Sequence, residues 1–123
     1  DVQTSKAFPF LKPGEPYRLQ PSDFVTDKNG ALVSRRTLIM MFATGDEPGK
    51  RRATEEDMRQ LLTTCREKYG CHVGWAHHEA GIFQLVFPPD TILETLEEFS
   101  ELYKGHPAFF PPSKDIKSTL SNF

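Results

Sequence analysis

Cys65, Cys71, His72, His77 and His78 are the side chains whose types could hold a metal ion, through thiolate sulfur and imidazole nitrogen. Their spacing matches no structural zinc pattern. Strand alternation over residues 71–78 would also divide them. Cys71, Val73, Trp75 and His77 would take one face, and His72, Gly74, Ala76 and His78 the other. No metal site and no cofactor is therefore expected. The two cysteines are too few for a disulfide framework and read as reduced, packed thiols. His77-His78-Glu79 reads as a solvated hairpin tip, or as a pH-sensitive contact.

Phosphate chemistry is the second candidate. Arg35-Arg36 and Lys50-Arg51-Arg52 are basic clusters of the kind that contact a nucleic-acid backbone. They flank one expected strand, which places them roughly 25 Å apart, too far for one pocket but able to bracket a single strand. The alternative is a charged strand edge and a solvated loop. Gly45 to Lys50 is one residue short of a Gly-x-x-x-x-Gly-Lys phosphate loop, and Arg51 stands where Ser or Thr is needed. Arg51-Arg52-Ala53-Thr54 resembles a basophilic kinase site, with Thr54 at a helix start where a phosphate would meet the positive helix end. No Ser/His/Asp or Cys/His arrangement for nucleophilic catalysis is legible.

These residues sit on elements with clear local signals. Phe24-Val25-Thr26 and Ala31-Leu32-Val33 flank Asp27-Lys28-Asn29-Gly30, which predicts a hairpin over 24–33. Thr37 to Ala43 is the first core strand, apolar on both faces. Thr54 and Asp57 form a capping box, and Met58, Leu61, Leu62, Cys65 and Tyr69 make one buried stripe that Gly70 ends. Cys71–His77 and Gly81–Phe87 are the second and third strands. Asp90 is expected to cap a second helix with Leu93, Leu96, Phe99 and Tyr103 inward and Glu94, Glu97, Glu98 and Glu101 outward. Ala108-Phe109-Phe110 is a short last strand before Pro111-Pro112, and residues 113–123 are a polar tail with one helical turn near 114–120.

The resulting order, strand–helix–strand–strand–helix–strand, is that of the ferredoxin-like superfold. It predicts an α+β two-layer sandwich, with two helices on one face of an antiparallel sheet. In its open-sheet form the chain resembles an RNA-recognition motif over 36–112. Ala80-Gly81-Ile82-Phe83-Gln84-Leu85-Val86-Phe87 fits the register of that family's third-strand signature. Gly81 matches, and Phe83, Leu85 and Phe87 point into the core. Ile82 and Gln84 occupy the base-stacking positions, and Ile39 or Met41 the one in the first strand. Without aromatics there, the family's main binding energy, about 1–3 kcal/mol per stacked base, is missing. The resemblance implies a non-enzymatic module that assembles into a ribonucleoprotein or protein complex, with RNA contacts made by Arg35, Arg36, Lys50, Arg51 and Arg52. The alternative is a protein-interaction domain using Ile39, Met41, Ile82, Gln84 and Val86 on the open sheet face. A remoter one is an acylphosphatase-like enzyme with Arg51 or Arg52 in an anion-cradling loop, against which Asp46 and Glu47 argue.

Residues 1–35 form a Pro- and aromatic-rich arm with the hairpin at its end. Its Phe8, Phe10, Tyr17 and Phe24 are candidates to cover the sheet face, in competition with a protein partner or RNA. Formal net charge is −2, but residues 1–53 carry +3 and residues 54–123 carry −5. Bulk charge thus gives no nucleic-acid footprint, although a basic edge remains. No apolar run reaches membrane-spanning length, so no membrane partner is expected. Free thiols favour an intracellular, cytoplasmic or nuclear setting. The first residue is Asp1, so the chain reads as a cut-out or processed piece.

Overall fold

The structure, a computed structural model, describes residues 20–77 and 79–116. It is α+β, with a five-stranded antiparallel open sheet and two helices. The strands are β1 (Phe24–Thr26), β2 (Leu32–Met41), β3 (His72–His77), β4 (Ile82–Val86) and β5 (Ser113–Ile116). The helices are α1 (Glu55–Thr64) and α2 (Leu93–Leu102).

Asp27 makes the first hairpin. Its carboxylate accepts the N–H groups of Asn29 and Ala31 at 2.9 Å each, and Gly30 takes a φ of 84°. β1 then pairs with β2 from Phe24↔Ser34 to Thr26↔Leu32. The return strand of this hairpin and the first core strand, expected as separate pieces, are one continuous β2. A 3₁₀ turn, Pro21–Asp23, precedes β1. Its buried Asp23 accepts the Gln20 N–H and faces Arg35 and Arg36 at 3.5 and 3.8 Å.

β2 is the spine of the sheet. On one edge it pairs with β4 from Thr37↔Val86 to Met41↔Ile82. On the other it pairs with β5, including Leu38↔Lys114 and Ile39↔Ser113. Val33 bonds both Val25 and Ile116, so β1 lies end to end with β4 along the same edge. β3 pairs only with β4 in this order. The expected strand at 108–110 is reduced to a single Phe42↔Phe109 bridge, and the regular pairing comes after Pro111-Pro112. Proline lacks a donor but fits an edge, so the chain keeps its course along β2. Residues 114–116 are strand, not helix; 117–120 lie outside the described residues.

Leu38, Met40, Phe42, Val73, Ala76, Phe83, Leu85 and Phe87 all point to the helical side. There they join Met58, Leu61, Leu62 and Cys65 of the first helical segment and Leu96, Phe99 and Tyr103 from the second. The rings pack edge-on, with Phe87 and Phe99 centroids 5.4 Å apart and Tyr69 and Phe99 5.2 Å apart. Both helices therefore cover one face.

The capping box opens α1 as the sequence predicts. Thr54 Oγ1 accepts the Asp57 N–H, and Asp57 accepts the Thr54 N–H. The helix then widens into one π turn, Cys65–Tyr69, before Gly70 stops it at φ 67°. α2 begins later than expected. Its N-cap is Ile92, which makes no side-chain cap. Asp90 instead sits in the turn closed by the Thr91 N–H to Pro88 carbonyl bond.

The largest departure from strict alternation is in β3. Val73 opposes Leu85, but the next paired residue is Trp75, opposite Gln84, so Gly74 is an extra residue in a bulge. Directly opposed residues share a face. Trp75 and His77 therefore leave the core side, and Ala76, opposite Phe83, enters it. Gly74 is required there. A Cβ on it would lie 2.1 Å from Gln84 Oε1 and 2.9 Å from Val86 Cγ2. Gly74→Ala is expected to displace the Gln84 amide and cost about 1–3 kcal/mol. Denaturant unfolding would measure this, and an unchanged midpoint would contradict it.

Candidate functional site

The face opposite the helices is built in three rows by the strand register. His77, Ile82 and Met41 form the row near the β3–β4 turn. Trp75, Gln84 and Ile39 form the middle row, and His72, Val86 and Thr37 the third. The rows differ in access. Met41 is 41% exposed, and Ile39, Ile82 and Trp75 are partly exposed. His77 is exposed and its ring centroid lies 5.1 Å from that of Trp75.

Two of the five residues expected on this surface are not available to a ligand. Val86 is 0% exposed and Gln84 is 6% exposed. The Gln84 side chain lies over Gly74, and its Nε2 donates to Asp115 Oδ2 at 3.0 Å. Thr37 Oγ1 donates to the same oxygen at 2.8 Å. A buried amide must find a partner, and this one is absorbed in tying strands together. Trp75 belongs to the surface, whereas strict alternation assigns it to the Cys71–Val73 face. The sequence signal that could have found it is Gly74 within a strand, a frequent mark of a bulge.

The basic residues are not brought together, and most are occupied. Arg35 donates to the carbonyls of Pro89 and Thr91, the latter at 2.9 Å, and pairs with Asp23. Arg36 donates to the Phe87 carbonyl at 3.1 Å. At the other end of β2, Lys50 donates to the carbonyls of His106 and Phe109 at 2.6 and 3.0 Å. Arg51 makes a two-pronged pair with Asp57 at 2.7 and 2.9 Å. Arg52 is exposed.

The loop after β2 holds an anion already. Thr44 N–H, Gly45 N–H and the Thr44 hydroxyl all donate to the Glu47 carboxylate, at 2.9–3.3 Å. These are the amides that an anion-cradling enzyme loop would turn toward a phosphate. Of the metal-ligand candidates, Cys65 and Cys71 are buried under the helices, while His72 and His77 are exposed on the other side of the sheet. His78 lies outside the described residues. Among the described residues no three such side chains are grouped to hold a metal. No helix among them is long and apolar enough to cross a membrane. The aromatics Phe8, Phe10 and Tyr17, expected to cover the sheet, also lie outside the described residues; Phe24 is in β1 and buried.

No family model, curated protein or solved structure matches the chain.

The Arg51–Asp57 pair has a pH signature. Arg51 holds the Asp57 carboxyl well below the usual carboxylate range, aided by the Thr54 N–H and hydroxyl and opposed by burial. A carboxyl depressed in the folded state stabilises it above the unfolded pKa, and that contribution is lost as pH falls through the folded value. Half of the Arg51 side chain is exposed, which screens the pair. Asp57→Asn is expected to cost about 1 kcal/mol at neutral pH. The gap to the parent chain should narrow as pH drops below about 4. Urea midpoints across pH measure it, and a constant gap down to strongly acid conditions would contradict the assignment.

Proposed function

We propose that this chain is a non-enzymatic binding module, similar to an RNA-recognition motif, that assembles into a complex through its outer sheet face. The observation that carries this reading is the pairing of Trp75 and His77 on that face. They lie beside Ile82, Ile39 and the exposed Met41, whereas four of the five expected phosphate-binding residues are bonded within the chain. An exposed aromatic and apolar patch of this kind is what a protein interface uses at its centre.

The strand succession supports a ferredoxin-like assignment. The unit β2–α1–β3 straddles β4, and the unit β4–α2–β5 straddles β2. Two such split βαβ units interlocked in one antiparallel sheet make the ferredoxin-like arrangement. Its helices occupy one face and leave the other to a ligand.

A protein partner is the first reading, because Arg35, Arg36, Lys50 and Arg51 are bonded within the chain. A second reading, single-stranded RNA stacked on Trp75, is favoured by the bulge, which returns one aromatic to a face that lacks others. Quantitative affinity purification from a cell extract separates the surfaces. Under the outer-face reading, proteins retained by the parent chain and by Arg52→Glu are lost with Trp75→Ala and with Met41→Glu. Loss on Arg52→Glu with retention by Trp75→Ala would overturn it. A titration with mixed single-stranded RNA at two salt concentrations, following amide shifts, separates the ligands. Shifts at Trp75 and Ile82 would favour RNA on the face, and salt-sensitive shifts near Arg36 and Arg52 would move the site to the edges.

A further inference from the structure

We propose that Cys65 and Cys71 are a dithiol–disulfide pair, able to close a covalent bond across the junction between the first helical segment and β3 without rebuilding the fold. The backbone sets the distance. The Cys71 N–H donates to the Cys65 carbonyl at 2.9 Å. Adding the covalent reach on either side of that contact keeps the two Cα atoms within about 6.8 Å. Disulfides span Cα separations of about 4.4–6.8 Å, so the backbone already satisfies the requirement.

The side chains agree with the backbone. The Cys71 thiol donates to the same Cys65 carbonyl at 3.5 Å, which turns its sulfur toward residue 65. Both thiols lie in one core cluster. The left-handed Gly70 and the π turn before it bring the chain back on itself between them. The chain has no other cysteine, so the intramolecular product is unique.

Burial sets the rate. The hydrogen bond with Cys71, and then burial, hold the Cys65 thiol far above its ordinary range. A thiol in that state is a poor nucleophile, so reaction waits for the segment between the helix and β3 to open. The oxidant is a low-molecular-weight disulfide. One cysteine thiolate attacks it and forms a mixed disulfide, and the departing small thiolate takes up the proton that the cysteine released. The second cysteine then attacks the protein sulfur of the mixed disulfide. The Cys65–Cys71 bond forms, and a second small thiol leaves with the second proton. The protein loses two protons and two electrons, and the small disulfide becomes two thiols.

The test is the equilibrium of the full chain with mixtures of oxidised and reduced glutathione, in native buffer and in urea. Alkylation followed by mass measurement counts dithiol, disulfide and mixed disulfide. If the fold presents the two sulfurs to each other, the disulfide should be favoured in the folded chain by about tenfold or more over the denatured one. By linkage the oxidised chain should then resist urea by the same factor. An equal or lower preference in the folded chain, or a stable glutathione adduct on either cysteine, would overturn the proposal. No substitution in the buried core is needed, so a failure to fold cannot obscure the result.

Discussion

The Gln84 amide is the group on which the outer face depends. It sits on β4, lies over Gly74 of β3, and donates to Asp115 of β5, which also accepts from Thr37 of β2. One side chain thus connects four strands. A polar amide with 6% exposure must be bonded, and its Oε1 occupies the space that a side chain at residue 74 would fill. Gly74 provides that room as the extra residue of a bulge, and the bulge reverses the orientation of everything after it in β3. Trp75 and His77 face outward for this reason, and Ala76 fills the core position opposite Phe83.

The same economy of partners decides what the basic residues do. Arg35, Arg36, Lys50 and Arg51 cap carbonyls that the sheet and helices leave unpaired, or face Asp23 and Asp57. They fasten the loops around β2, and their donors are directed inward. Charge-assisted bonds of this type are stronger than neutral ones, so redirecting them to a phosphate would loosen the loops they hold. The outer face carries no such obligation outside the Gln84 network. Among the described residues, Met41 and His77 of the row near the β3–β4 turn are exposed and Ile82 partly so.

Legibility in the sequence followed the range of each interaction. The Asp27–Gly30 turn, the Thr54–Asp57 capping box and the Gly70 stop were readable because each is closed by residues within four positions. Phe83, Leu85 and Phe87 were readable as core from period-two alternation. What was missed depended on distant partners. The bulge at Gly74 lies against Gln84 on another strand, so strict alternation puts Trp75 on the wrong face. Nothing local marks Asp115 as the partner of Gln84, so alternation alone leaves that amide on an open face. In sequence Pro111-Pro112 looks like a stop, whereas at an edge it only interrupts the pairing and β5 follows. Asp90 has the chemistry of a cap, but the turn at Pro88–Thr91 uses it before the helix begins. The basic clusters were visible as charge; the carbonyls they serve were not.

Trp75 is the only tryptophan in the chain, so its fluorescence reports directly on the face at issue. Collisional quenching of the folded chain by acrylamide is the most direct test that the bulge turns this ring outward. An outward Trp75 is expected to give substantial quenching of the native protein, intermediate between a buried indole and the urea-denatured chain, and strong protection once a partner occupies the face. A native emission that acrylamide does not reach would place Trp75 in the core, and would contradict both the bulge and the proposed binding surface.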